Sequence, residues 1–101
     1  MSESQVYRRK VTVKAEQGLH IRPCTAVAQL AMKYQSRVKL SKDNATPVDA
    51  KSILDLMTLA AGPNTELDLE VDGPDAAEAL EHLAALFESD FVVQTSPAAS
   101  P

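Results

Sequence analysis

Hydrophobic positions recur along this chain with two different periods, and the switches between them mark its elements. Tyr7 to Lys14 alternates towards its end, placing Val11, Val13 and then Ala15 on one face of a half-buried strand. From Ile21 to about Tyr34 the spacing turns helical, with Val27, Leu30, Ala31 and Tyr34 as core positions. Alternation returns over Arg37 to Ser41 with Val38 and Leu40 inward, Asp43-Asn44 turns the chain, and Thr46 to Asp49 predicts a short return strand. Lys51 to about Leu59 predicts a short helix. Glu66 to Asp72 alternates almost perfectly, with Leu67, Leu69 and Val71 on one face. Pro74 then opens a helix with Asp75 and Glu78 near its positive end, and Ala76, Leu80, Leu83 and Phe87 form the buried stripe.

The order strand, helix, strand, strand, helix, strand, helix, with one polar face on each strand, predicts an α+β fold. Its sheet would be antiparallel and covered by helices on one side, an open-faced sandwich. A ferredoxin-like arrangement shares most of this order. Periodicity is lost from Ser89, and the expected organisation is a single domain over residues 1–91 followed by a mobile tail over 92–101.

With 101 residues, 45% of them apolar and only three glycines, the chain is one domain with a modest core that needs no staples. Cys24 is the single cysteine, so no internal disulfide forms. No run of eighteen apolar residues is present, and Met1-Ser2-Glu3-Ser4-Gln5 does not read as a signal peptide, so the expectation is a cytoplasmic protein without membrane insertion. Charge is segregated. Residues 1–42 hold nine Lys/Arg against Glu3 and Glu16, a balance of +7, while residues 43–101 hold Lys51 against twelve Asp/Glu, a balance of −11. Arg8-Arg9-Lys10 is basic, but with 4% aromatics and no nucleic-acid motif no such partner is expected. Two readings of the basic half stand side by side: a field around His20 that steers acidic partners, or an ordinary solvated surface.

His20 lies in Gly18-Leu19-His20-Ile21-Arg22-Pro23, where a glycine turn delivers an imidazole to the start of the first helix. Histidine is a poor cap beside Ser, Thr, Asp or Asn, so local stability does not explain it. A helix start offers unpaired N–H groups and the positive end of the dipole, which together bind anions. Arg22 adds a guanidinium, and Pro23 lacks an N–H only where that donor would have been spare. His20 would thus see the amides of Ile21, Arg22 and Cys24. A neutral imidazole can attack phosphorus while the amides and Arg22 hold the equatorial oxygens. A histidine before a helix is also often just solvated, and the spacing alone leaves both accounts open.

The motif around His20, an amphipathic helix after it, and then Ala50-Lys51-Ser52-Ile53-Leu54 together closely resemble HPr, the histidine phosphocarrier family of the bacterial sugar phosphotransferase system. Two separate motifs agree in order and spacing, and the resemblance runs from about Val6 to Phe91. It implies the HPr topology, a four-stranded antiparallel sheet with three helices on one face. It implies that His20 is phosphorylated by enzyme I at the expense of phosphoenolpyruvate, that Arg22 partners the phosphate, and that the group passes to an enzyme IIA domain. Such a carrier turns over no small molecule of its own and needs no cofactor or metal, and a monomer suits it. By the same resemblance Ser52 falls on the family's regulatory serine, the target of an ATP-dependent HPr serine kinase/phosphorylase.

Ser52-Ile53-Leu54-Asp55 also matches a capping box, in which the serine oxygen accepts an amide and the acid returns a bond to the serine N–H. Asp55 departs from the family, where many relatives carry glycine; a carboxylate there disfavours a nearby phosphate. Ile53, Leu54 and Met57 are the expected partner-docking patch, partly exposed, with Leu56 buried. The alternative function is a regulatory HPr-like module that acts by docking rather than in sugar uptake. Cys24, four residues after His20, allows a Cys/His pair in principle, but a small buried thiol filling a core gap is the simpler account. His82, among Glu78, Glu81 and Glu88, is expected as a solvated surface histidine.

Overall fold

A computed structural model describes residues 6–43 and 45–89. Four strands form one antiparallel sheet: β1 (Val6–Thr12), β2 (Arg37–Ser41), β3 (Val48–Asp49) and β4 (Glu66–Asp72), in the order β1-β4-β2-β3. Three helices join them: α1 (Ile21–Ala31), α2 (Ile53–Met57) and α3 (Ala76–Glu88). The expected open-faced α+β sandwich is what forms. Period-2 alternation is the cause, because it gives each strand one apolar row: Val11, Val38, Leu40, Leu67, Leu69 and Val71 are all buried beneath the helices. The helices close that core with Val27, Leu56, Leu83 and Phe87, each fully buried, while Leu30, Tyr34 and Leu80 pack at its margin.

β2 and β4 have the limits that alternation predicts; the other boundaries moved for identifiable reasons. β1 stops at Thr12 rather than Lys14 because Val13 leaves the ladder, donating to the Thr65 carbonyl at 2.9 Å and accepting from the Asn64 amide at 2.6 Å. α1 ends at Ala31, not Tyr34. The Lys33 and Tyr34 amides reach back only three residues, to Leu30 and Ala31, in a tightened last turn, and the next two amides are taken by Asp75. α2 is shorter than Lys51–Leu59 and is bounded by Ser52 as its cap and by Ala60 in a left-handed conformation (φ 51°). Pro74 lies outside α3, which starts at Ala76 with Asp75 as its N-cap residue. The return strand is reduced to Val48–Asp49. The expected turn residue Asn44, the domain end at Phe91 and the tail over 92–101 lie outside the described residues.

The open face of the sheet accounts for the segregated charge. Central β4 carries Glu66, Asp68, Glu70 and Asp72 at alternate positions, and the register places Arg8 and Lys10 of β1 opposite Glu70 and Asp68, and Arg37 and Lys39 of β2 opposite Asp72 and Glu70. Arg8 pairs with Glu70 at 3.5 Å and Lys10 with Asp68 at 3.0 Å, while Arg9 reaches Glu88 at 3.9 Å. The basic half and the acidic half therefore interleave as cross-strand partners. Arg8 and Lys10 are engaged there, and Arg9 pairs instead with Glu88 of α3.

Candidate functional site

Gly18 turns the chain into the site. Its φ of +77° is left-handed, and a Cβ there would stand 2.6 Å from the Ala61 carbonyl oxygen and 2.9 Å from the Gly62 Cα. That close approach lets the Leu19 amide donate to the Ala61 carbonyl at 2.8 Å, and the Leu19 side chain is buried beneath. His20 follows as the N-cap of α1 in extended conformation (φ −104°, ψ −166°). Its backbone is fixed from both sides, the amide donating to the Gly18 carbonyl at 3.0 Å and the carbonyl accepting from the Cys24 amide at 3.0 Å. Its side chain makes no capping bond and is half-buried.

The expected third amide of an anion site is thus corrected. The Cys24 N–H closes the first i→i−4 bond of the helix, so the spare donors are those of Ile21 and Arg22, the first two helical positions. No acid stands in the first turn of α1, leaving the positive end of its dipole uncompensated from within the helix. Arg22 is exposed and enters no ion pair among the described residues. An imidazole that makes no capping bond, two spare amides and an exposed guanidinium are therefore carried by three consecutive residues. This arrangement can receive a phosphoryl group.

Cys24 is fully buried behind this turn, its thiol directed to the Leu19 carbonyl at 3.8 Å, and burial pushes its pKa up to about 11. It is a packed thiol rather than a nucleophile. Among the described residues, no three His, Cys, Asp or Glu side chains converge as metal ligands would.

Ser52 sits elsewhere. It is the N-cap of α2 and its hydroxyl accepts from the Asp55 amide at 3.1 Å. The reciprocal half of the capping box is missing, because the Ser52 amide already donates to the Asp49 carbonyl at 3.1 Å. α2 exposes Leu54 (77%) and Met57 (42%), half-buries Ile53 and buries Leu56 completely, the exposure expected of these four residues. His20 and Ser52 cap different helices. The Leu19–Ala61 bond ties the start of α1 to the chain beyond α2, whereas Lys51 Nζ donates to the Tyr34 carbonyl at 2.8 Å and ties the start of α2 to the chain beyond α1.

His82 is not simply solvated, although its surface is exposed. Its Nδ1 is hydrogen-bonded to the Tyr34 hydroxyl, with the two rings 5.9 Å apart and tilted by 50°. Burial, with Glu78 and Asp75 nearby, raises the Tyr34 pKa. No local spacing signals a contact between residues 48 apart in sequence.

A family model for the PTS HPr component phosphorylation site matches residues 7–89. The chain belongs to the HPr family. Among HPr relatives, the phosphocarrier protein of Cupriavidus necator is 44% identical over 84 residues, 83% of this chain and 93% of that protein. The crystal structure of an HPr from Thermoanaerobacter tengcongensis superposes with a TM-score of 0.80 at 35% identity, over 84% of this chain and 94% of the other. Crh from Bacillus subtilis, described as a swapped dimer, superposes with a TM-score of 0.68 at 41% identity, over 84% of this chain and 97% of the other. HPr relatives thus include a dimeric form, and family membership does not imply a monomer. Among the described residues no helix is long and apolar enough to cross a membrane.

Proposed function

We propose that His20 accepts a phosphoryl group from phospho-enzyme I and passes it to an enzyme IIA domain. The observation that carries this is the state of His20: an N-cap whose side chain makes no capping bond, followed by two spare amides and by an exposed Arg22 that enters no ion pair among the described residues. Each transfer breaks one phosphorus–nitrogen bond as it makes another. The site need only hold an in-line imidazole and balance charge on the equatorial oxygens, the former from His20 and the latter from Arg22 and the amides of Ile21 and Arg22. The half-exposed position suits a group that must be reached by two partners in turn. Ile53, Leu54 and Met57 would supply the apolar contact for them, in the cytoplasm, with a monomer as the acting form.

Incubation with phosphoenolpyruvate and enzyme I, then intact mass measurement before and after acid, tests this. One acid-labile phosphate, absent from His20→Ala, is expected; no label with a cognate enzyme I would sink the reading.

A second reading is favoured by the likeness to Crh. In it the protein acts by docking rather than in sugar uptake, and Ser52 is phosphorylated by an HPr serine kinase/phosphorylase against the repulsion of the Asp55 carboxylate in the first turn of α2. Phosphorylation by such a kinase and its loss in Ser52→Ala would support this; a biological effect abolished by His20→Ala but untouched by Ser52→Ala would reject it.

A further inference from the structure

Across the acidic stripe of β4 the two flanking strands differ. On the β1 side Arg8 and Lys10 are both in ion pairs. On the β2 side, among the described residues, neither Arg37 nor Lys39 enters one, although both are exposed. These two cations line an open cleft of about 400 Å³ together with Lys51, Asp49, Pro47 and Val48. The cleft exists because β2 and β3 pair at only two positions, Lys39 with Asp49 and Leu40 with Val48. The Ala50 amide still reaches the Val38 carbonyl at 2.9 Å, and beyond it the chain turns away with the Lys51 amide held by the Asp49 carboxylate at 2.9 Å. That turn bond occupies one oxygen of Asp49, the only acid among the lining residues.

We propose that this cleft binds a small organic phosphate, its phosphate held by Arg37 and Lys39 with Lys51 beside it, and its non-polar part against Pro47 and Val48. The volume falls within the range of small-molecule sites, and a planar guanidinium with the Lys39 ammonium matches the oxygens of a phosphate monoester better than those of a single carboxylate, while Lys51, one of whose donors is held by the Tyr34 carbonyl, adds positive charge. Pro47 and Val48 line the same cleft as the cations, which distinguishes the site from one for inorganic phosphate. None of the lining residues belongs to the turn around His20, and the inference does not depend on phosphoryl transfer.

The test is an amide-resolved NMR titration of the full chain with phenyl phosphate, with phenol and inorganic phosphate as half-ligands and a hexaglutamate peptide as the macromolecular alternative. Saturable shifts at Arg37, Lys39, Val48, Asp49 and Lys51 are expected with phenyl phosphate, at least tenfold tighter than with either half-ligand. Arg37→Gln with Lys39→Gln should abolish them while leaving the remaining spectrum and phosphate acceptance by His20 unchanged. Three results would overturn the proposal: shifts confined to the residues after Gly18, equal response to inorganic phosphate, or saturation by hexaglutamate alone, which would make the cleft a protein-docking surface.

Discussion

Ser36 and Asp75 exchange hydrogen bonds in both directions: the Ser36 hydroxyl donates to the Asp75 carboxylate and accepts from the Asp75 amide at 3.2 Å. The carboxylate also accepts the backbone N–H groups of Ser36 and Gln35, each at 2.9 Å. One side chain therefore joins the end of the α1–β2 connection to the start of α3. Gly73 lets the two meet, since a Cβ there would stand 2.5 Å from the Ser36 hydroxyl oxygen and 2.6 Å from its Cα.

These bonds favour the ionised carboxylate and hold the Asp75 pKa below its ordinary value, the Ser36 hydroxyl being the largest cause. A folded-state pKa below the unfolded one means stability that is fully present above the unfolded value, about 3.9 for a free aspartate. It is lost as pH falls through the folded value. Asp75→Asn should lower Tm at neutral pH, with the gap to the parent chain closing as melts are repeated towards pH 2. A gap that stays constant across that range would show that the charge on Asp75 is immaterial.

Gly18→Ala should cost at least about 1 kcal/mol from the left-handed backbone alone. The contact with Ala61 adds to this, so the loop before His20 must shift. Denaturant midpoints and the rate of phosphate acceptance should both fall. Gly62→Ala is the matched control, because nothing lies within 4 Å of a Cβ at that position. Comparable losses in the two variants would contradict the steric account.

Ser52→Ala removes the cap on α2 and should cost about 1 kcal/mol, the usual value for such a cap. Because the reciprocal capping bond is absent, Asp55→Asn should cost much less. Urea unfolding of both variants gives the comparison, and His20 should still accept phosphate in each.

Cys24 should resist alkylation in the folded chain. Its thiol is fully buried, and burial raises its pKa to about 11, so little thiolate exists at neutral pH. Iodoacetamide labelling followed by mass should proceed at the rate of global opening and become fast in urea. Rapid labelling under native conditions would show the turn behind His20 to be open.

What the sequence made legible follows from the range of the interactions involved. Strands β2 and β4 could be bounded because each is an alternating run whose inward row is wholly buried, a signal carried within five to seven residues. The exposed Leu54 and buried Leu56 were legible for the same local reason. The contacts made just beyond α1 were not, since Tyr34–His82 and Ser36–Asp75 join residues 48 and 39 apart by polar side chains with no period of their own. At the site, the residues Gly18 to Pro23 announce a helix start. That the Cys24 amide is already used required the geometry, because it depends on where the first helical bond closes.

The two ties across α1 and α2 have a consequence for recognition. With Leu19 bound to Ala61 and Lys51 to Tyr34, the start of each helix is fastened to the chain that leaves the other. The pair is therefore clamped at both ends, and a protein that seats itself on one helix meets the other in a fixed relation. Were His20 and Ser52 both modified as proposed above, a broad partner would read the two groups together as a single rigid pattern, with no change of shape required in the helices themselves.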